Sequence, residues 1–171
     1  GATLNISGNC IISGNKASHG GGISQEAGEC SLTLNGAGIQ ITNNEAHGHQ
    51  VNISDSGVHS VTNNLGNGGG IFIEKGTVTM NGAKIKNNNA SGHGGGASLY
   101  VNRIHGRKTS VNIKGGEISN NSAQYGGGID VYANYQSLTD TYDKDNPYTG
   151  ESELTVNFQA GTLSGNNAEN G

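Results

Sequence analysis

One six-residue motif recurs along the chain, and it constrains the fold more than any other feature of the sequence. The motif begins with an aliphatic residue, has asparagine at its fourth position and ends on alanine or glycine. The copies read ISGNKA, ITNNEA, VTNNLG, IKNNNA, ISNNSA and LSGNNA, at residues 12–17, 41–46, 61–66, 85–90, 118–123 and 163–168. In-phase copies of this kind indicate a repeat protein whose units pack on their neighbours.

A short strand pattern precedes each copy, and a run of three glycines follows most of them. The strand pattern alternates apolar and polar residues, which is typical of a half-buried strand. Its apolar pairs are Leu4/Ile6, Leu32/Leu34, Val51/Ile53, Val78/Met80, Val111/Ile113 and Leu154/Val156. The glycine runs occupy residues 20–22, 68–70, 94–96 and 126–128. The repeating unit is therefore a strand, a corner, a short strand, a glycine corner and another strand.

These units predict an all-β fold, a single-stranded, right-handed parallel β-helix (β-solenoid) of about six coils, in one domain over residues 1–171. No segment has the apolar spacing of an amphipathic helix. Equivalent residues of successive coils would lie about 4.8 Å apart, so the motif asparagines are predicted to form a hydrogen-bonded ladder. The predicted ladder residues are Asn15, Asn44, Asn64, Asn88, Asn121 and Asn166. Because the repeat pattern reaches both termini, we expect the chain to be part of a longer repeat protein.

The pattern I-x-x-N-x-A-x-x-G-G-G-I resembles the right-handed β-helix repeats of bacterial surface and secreted proteins. It is similar in particular to the polymorphic outer-membrane proteins of chlamydiae, with their GGA(I/L/V) and FxxN tetrapeptides. The matching segments are 12–15 with 21–23, 61–64 with 69–71, and 118–121 with 127–129, and residues 95–97 are a variant copy. This chain has Ile or Val in place of Phe and lacks a glycine run after Ala46. The resemblance implies a pectin-lyase-like architecture and an adhesin or stalk on a bacterial surface.

Composition and motifs argue against several classes of partner. A net charge of −4 gives no electrostatic reason to expect nucleic acid. The sequence contains no run of about 18 apolar residues, so we expect no membrane insertion by this segment. The glycine runs lack the Lys-Ser or Lys-Thr of a phosphate-binding loop. Cys10 and Cys30 allow one disulfide without requiring it.

Catalytic and metal sites receive little support from the sequence. The segment Gly92-His93-Gly94 is similar to the GHG element of polygalacturonase-type β-helix hydrolases. Those enzymes need paired carboxylates, and the nearest upstream aspartate, Asp55, stands alone. Histidines recur near the alanine corner, at His19, His47, His49 and His93, but neither cysteine nor carboxylate joins them in register. We therefore expect no enzyme activity, no cofactor and no metal. The alternative is a non-catalytic piece of a polysaccharide lyase or hydrolase.

The outward positions of the first strand suggest a second alternative, an ice-binding solenoid. One predicted column reads Asn5, Thr33, Asn52, Thr79, Asn112 and Thr155, and its neighbour reads Thr3, Ser31, Gln50, Thr77, Ser110 and Glu153. A flat face of regularly spaced Thr and Asn is typical of such proteins. Thr also suits any exposed strand position, and Gln50 and Glu153 interrupt the regularity.

Two loops, over residues 102–110 and 133–153, are predicted to protrude side by side from adjacent coils. The candidate ligand-binding residues are Tyr135, Tyr142, Tyr148, Asp140 and Asp143 in the longer loop, and Arg103 and Arg107 in the basic one. Binding residues favour loops on a rigid scaffold, and tyrosines suit glycan or protein contacts. The simpler interpretation is that the opposite charges pair and tie the loops down.

The function predicted from these features is that of a non-enzymatic, extracellular segment of a bacterial surface protein. Its expected partner is a glycan or protein of a host or neighbouring cell, bound through the loop over 133–153. Exposed solenoid ends also favour end-to-end self-association.

Overall fold

The computed structural model describes residues 1–25, 30–53, 60–102, 108–134 and 153–170, and within these ranges the chain forms strands and no helix. The strands are β1 (Thr3–Ser7), β2 (Ile11–Ser13), β3 (Lys16–Ala17), β4 (Ile23–Gln25), β5 (Cys30–Asn35), β6 (Gln40–Thr42), β7 (Glu45–Ala46), β8 (His49–Ile53), β9 (Ser60–Asn64), β10 (Ile71–Ile73), β11 (Gly76–Lys86), β12 (Asn89–His93), β13 (Ala97–Asn102), β14 (Lys108–Ser119), β15 (Ser122–Tyr125), β16 (Ile129–Asn134), β17 (Glu153–Phe158), β18 (Thr162–Ser164) and β19 (Asn167–Ala168).

All the described strands except β8 and β9 form three stacked parallel sheets that the chain visits in turn. The long sheet has the order β1-β5-β11-β14-β17. Alongside it, β2 pairs with β6, β6 pairs with the second half of β11, and β18 pairs with the second half of β14. The short sheet has the order β3-β7-β12-β15-β19, and the third sheet has the order β4-β10-β13-β16. Each pass of the chain therefore lies on the preceding pass, an all-β arrangement that is compatible with a β-solenoid.

The segment around Val51 does not form a pass of its own, which corrects the sequence prediction. Strands β8 and β9 pair antiparallel, with Val51 opposite Thr62, and β5 pairs directly with β11. The glycine run at 68–70 instead completes the pass that began at β5, because the Gly20 N–H donates to the Asn67 carbonyl and the Gly68 N–H to the His93 carbonyl. Strands β8 and β9 therefore form an excursion from the stack between Gly48, whose N–H donates to the Ser18 carbonyl, and Gly66, whose carbonyl accepts from the Gly92 N–H.

The register of the last pass also differs from the predicted columns. The prediction aligned Leu154 with Val111, whereas the structure pairs Val156 with Val111 and Leu154 with Thr109. Thr155 consequently lies opposite Ser110, and Glu153 lies opposite Lys108. A shift of two residues leaves the inward face apolar, because side chains alternate with a period of two.

Inward aliphatic side chains of the long sheet and the third sheet form one core. Its most buried members are Leu32, Leu34, Ile39, Ile41, Ile71, Ile73, Val78, Met80, Ala83, Ile85, Leu99, Val111, Ile113 and Ile118. In the short sheet, Ala46, Ala90 and Ala123 stack as a separate buried cluster. The alanine that ends the motif is thus an inward residue at a corner of the chain.

Two features of the corners explain the glycines and asparagines of the motif. At the glycine corner, a Cβ on Gly69 would lie 2.5 Å from the Gly95 carbonyl oxygen of the next pass, which no side chain permits. At the other corner, Asn43, Asn87 and Asn120 have φ of 57°, 54° and 53°. Glycine and asparagine are the residues that adopt this left-handed conformation routinely, so the residue before each ladder asparagine is Gly or Asn.

The described part of the chain contains no helix of the length and apolarity that crossing a membrane requires.

Candidate functional site

The motif asparagines form a continuous chain of amide hydrogen bonds, here called the amide ladder: Asn15, Asn44, Asn88, Asn121 and Asn166. Each Nδ2 donates to the Oδ1 of the next member, at 2.9, 3.1, 3.0 and 2.9 Å in order. Asn44, Asn88 and Asn121 are each only 1% exposed. Asn44 bonds directly to Asn88, so the prediction that Asn64 lies between them in the ladder is wrong. Asn64 lies in β9, opposite His49.

The second proton of each inner amide ties the ladder to the backbone of the preceding pass. Asn88 Nδ2 donates to the Ile41 carbonyl at 2.9 Å, and Asn121 Nδ2 donates to the Ile85 carbonyl at 3.0 Å. The ladder therefore joins successive passes through buried bonds that carry no charge. Satisfied buried networks of this kind make a scaffold rigid.

The seven predicted ligand-binding residues lie outside the described ranges, but the structure describes the residues from which their loops emerge. These loop roots are paired: Asn102 lies opposite Asn134 at the ends of β13 and β16. Lys108 lies opposite Glu153 at the starts of β14 and β17, and Lys108 Nζ is 3.5 Å from Glu153 Oε2. Both loops thus leave and rejoin the stack at neighbouring positions.

A stack of aromatic and imidazole rings lies next to these roots on the third sheet and its glycine corner. This ring column consists of Tyr125, His93, Tyr132, Tyr100, Phe72 and His19. Adjacent ring centroids are separated by 3.9 Å for His93 and Tyr132 and by up to 6.5 Å for Phe72 and Tyr100. Tyr100 and Tyr132 face each other across β13 and β16, each two residues before a loop root.

Hydrogen bonds fix the orientation of the rings around His93. Its Nδ1 lies 2.7 Å from Asp130 Oδ2, and its backbone N–H donates to Asn67 Oδ1 at 3.0 Å. Asn67 Nδ2 donates to Tyr132 Oη at 2.8 Å. The Asn67 backbone N–H donates to His19 Nδ1 at 3.2 Å, so the proton of neutral His19 is on Nε2.

The fold raises the pKa of the Tyr132 phenol. Burial raises the pKa of its phenol above the ordinary 10.0, and the nearby Tyr100 and Asp130 add to the effect. The phenol therefore stays neutral and acts as a hydrogen-bonding group over the whole neutral range.

Sequence reasoning grouped His19 and His93 at the corner, but it missed the pairing of His93 with Asp130 and the rings of Phe72, Tyr100 and Tyr132 in the column. The available signal was the position immediately before each glycine run, where His19, Asn67, His93 and Tyr125 recur. Because the glycine corners stack in register, residues at this position must lie near one another. Asp130 could be placed only by the pairing of β13 with β16, which sets it opposite Ser98.

The chemistry available around His93 is that of one imidazole and one carboxylate. Glycoside hydrolysis uses two carboxyl groups, and among the described residues next to His93 the structure shows only Asp130. Elsewhere, Lys16 Nζ lies 2.7 Å from Glu45 Oε2, and Lys16 lowers the pKa of Glu45 through this hydrogen bond and its charge. In the ranges that the structure describes, no three His, Cys, Asp or Glu side chains gather as metal ligands would. Cys10 and Cys30 are both thiols.

A scan against protein-family models, a search of curated proteins and a search of solved structures each found no match to this chain.

Proposed function

We propose that the chain is a non-enzymatic, extracellular segment of a bacterial surface protein, folded as a right-handed parallel β-helix that serves as an adhesin or stalk. The ligand is a glycan or protein of another cell, held by the loop over 133–153 together with the basic loop over 102–110. The observation that carries the proposal is the pairing of the loop roots beside the ring column.

The roots support the proposal because they restrict where the loop residues can be. Asn102 with Asn134, and Lys108 with Glu153, hold the two loops at neighbouring levels of the stack. Arg103 and Tyr135 each directly follow one of these roots. A ligand that contacts both loops would therefore meet cationic, anionic and aromatic groups together, which suits a polar glycan or a protein surface.

The ring column supports the same location. Tyr132 is oriented by Asn67 and His93, so its ring is fixed without a ligand. Residues that are already ordered lose little entropy when a ligand binds. The column therefore provides a rigid border to the predicted loop site.

The test is a loop replacement that leaves the stack intact. Residues 135–152 are exchanged for a Gly/Ser linker as long as segment 103–107, because that segment already spans the equivalent interval between paired roots. Binding to arrays of glycans and of host-cell surface proteins is expected for the parent chain and lost in the replacement. Unchanged binding by the replacement, or no binding by the parent chain, would remove the ligand site from the proposal.

A matched control shortens a different excursion. The ends of β8 and β9 pair Ile53 with Ser60, so residues 54–59 can be replaced by Asn-Gly, which forms a tight two-residue hairpin turn. This control should bind as the parent does. Cleavage of pectin or a related polymer by the parent chain would contradict the non-enzymatic part of the proposal.

A further inference from the structure

The outward side of the long sheet carries two regular columns of uncharged polar residues, here called the hydroxyl–amide face. The observed register gives one column as Thr3, Ser31, Thr77, Ser110 and Thr155, and the other as Asn5, Thr33, Thr79, Asn112 and Asn157. All ten side chains are exposed or half-buried. The first column is made only of hydroxyl residues.

Both interruptions expected from the sequence are absent from these columns. Gln50 belongs to β8, which pairs with β9 and not with the long sheet. Glu153 lies opposite Lys108, two residues along the strand from the first column. Thr155 occupies the position in that column that the sequence predicted for Glu153. The face is therefore more regular than the sequence alone indicates.

The spacing of the face is set by the backbone. Successive passes are about 4.7–4.9 Å apart, and alternate residues along a strand are about 6.6–6.8 Å apart. The pairing is continuous through both columns, without a bulge between Thr77 and Met80 on either side of β11. Beneath it, Val78, Met80 and Val111 are at most 5% exposed, so the core supports the face from below.

Several of these polar groups are held by hydrogen bonds to one another and are still able to bind water. Ser31 Oγ donates to Thr3 Oγ1 at 3.1 Å, and the Thr77 and Ser110 hydroxyls are 3.1 Å apart. Asn157 Nδ2 donates to Asn112 Oδ1 at 2.9 Å. A hydroxyl has one donor and two acceptor sites, so each keeps capacity for ordered water after one such bond.

Charge is confined to the margin of the face. Lys108 and Glu153 pair beside the first column, and Thr155 Oγ1 donates to Glu153 Oε1 at 3.3 Å. None of the ten positions in the two columns holds a charged residue. Ions disrupt an ordered water layer because they orient water around themselves, so their absence across the face favours a regular layer.

We propose that the hydroxyl–amide face orders water in a lattice and binds the surface of ice. Ice is a ligand with a fixed repeat in two dimensions, so it selects a flat, rigid surface whose hydrogen-bonding groups also repeat in two dimensions. Ordered water bridges polar surfaces nearly as well as a direct hydrogen bond, and the fixed side chains lose little entropy on binding. This inference is independent of the loop site.

The test compares Thr77→Lys with Ser13→Lys in the full chain. Thr77 is exposed at the centre of the first column, and Ser13 is an exposed strand serine in β2, off the face. Freezing-point hysteresis and ice recrystallisation are measured against an equimolar inert protein. The parent chain and Ser13→Lys should shape ice crystals and lower the freezing point, and Thr77→Lys should lose most of both effects. Circular dichroism checks that each variant folds.

If Thr77→Lys does not fold, Thr77→Val replaces it, since valine keeps the branched shape at Cβ and exchanges the hydroxyl for a methyl group. An inactive parent chain, a Thr77 variant as active as the parent, or equal loss in Ser13→Lys would each overturn the proposal. Binding to crystalline cellulose with no effect on ice would also overturn it. The loop replacement at 135–152 should keep full ice activity, so the two proposals can fail separately.

Discussion

Replacing Asn88 with alanine tests whether the amide ladder holds the stack together. The Asn88 side chain donates to Asn121 Oδ1 at 3.0 Å and to the Ile41 carbonyl at 2.9 Å. Its Oδ1 accepts from the Asn44 backbone N–H at 3.0 Å and from Asn44 Nδ2 at 3.1 Å. Alanine removes all of these bonds at a position that is 1% exposed.

The size of the effect follows from the donors that lose their acceptor. Two N–H groups of the buried Asn44 would have no partner, and each buried unsatisfied group costs about 1–3 kcal/mol, so we expect a loss of about 2–6 kcal/mol. The exposed Asn15 gives the matched control. Asn15→Ala removes one side-chain bond to Asn44 and leaves the bond from its own backbone N–H, so it should cost about 0.5–1.5 kcal/mol.

The assay is urea unfolding followed by far-ultraviolet circular dichroism, with the slope of each transition compared between variants. Asn88→Asp adds a second readout, because its carboxylate would face the Ile41 carbonyl and Asn121 Oδ1. Burial raises the pKa of such a group, so the variant should be most stable below about pH 3.9 and lose stability as pH rises. If Asn88→Ala costs no more than Asn15→Ala, the ladder does not hold the stack and the reasoning is refuted.

Three further predictions address the corners and Tyr132. Gly95→Ala should destabilise the fold by about 1–3 kcal/mol or more, because its Cβ would press on the Ser122 carbonyl. Gly115→Ala should be tolerated in the same urea assay, because its Cβ would meet nothing closer than 3.8 Å. Asn87→Ala should cost about 1–2 kcal/mol for its left-handed conformation and Asn87→Gly much less; equal losses would contradict the conformational reason. Tyr132 has a raised pKa, so its contribution to stability is complete below pH 10 and falls above it. Phenolate absorbance should show Tyr132 ionising only as the chain unfolds, and Tyr132→Phe should remove that phase.

Much of the parallel pairing could be predicted from the sequence, because the same residues recur at equivalent positions. Val78 and Val111 precede copies of the motif at the same interval, and the structure pairs them. The failure at Val51 has a physical cause. A strand in an antiparallel hairpin and a strand in a parallel stack show the same two-residue alternation, so local sequence cannot distinguish them. The lack of a glycine run after Ala46 was the available sign of the excursion.

The candidate site was less predictable than the fold. Loops have no periodic signal, and the ring column depends on contacts between residues such as His93 and Asp130, which are 37 positions apart. The sequence placed His93 near a corner and gave Asp130 no role. Their hydrogen bond follows only once the glycine corners and the third sheet are stacked in register.

By itself, the sequence determined the local conformations, because each has a strict residue requirement. Glycine or asparagine precedes every ladder asparagine where φ is positive, glycine occupies the corners that exclude a Cβ, and alternation sets which side chains face inward. The tertiary structure decided which strand lies beside which. A slip of two residues, or the insertion of a hairpin, preserves the apolar side of every strand, so only the packing of the whole stack selects the register. That choice moved Glu153 beside Lys108 and completed the hydroxyl–amide face with Thr155.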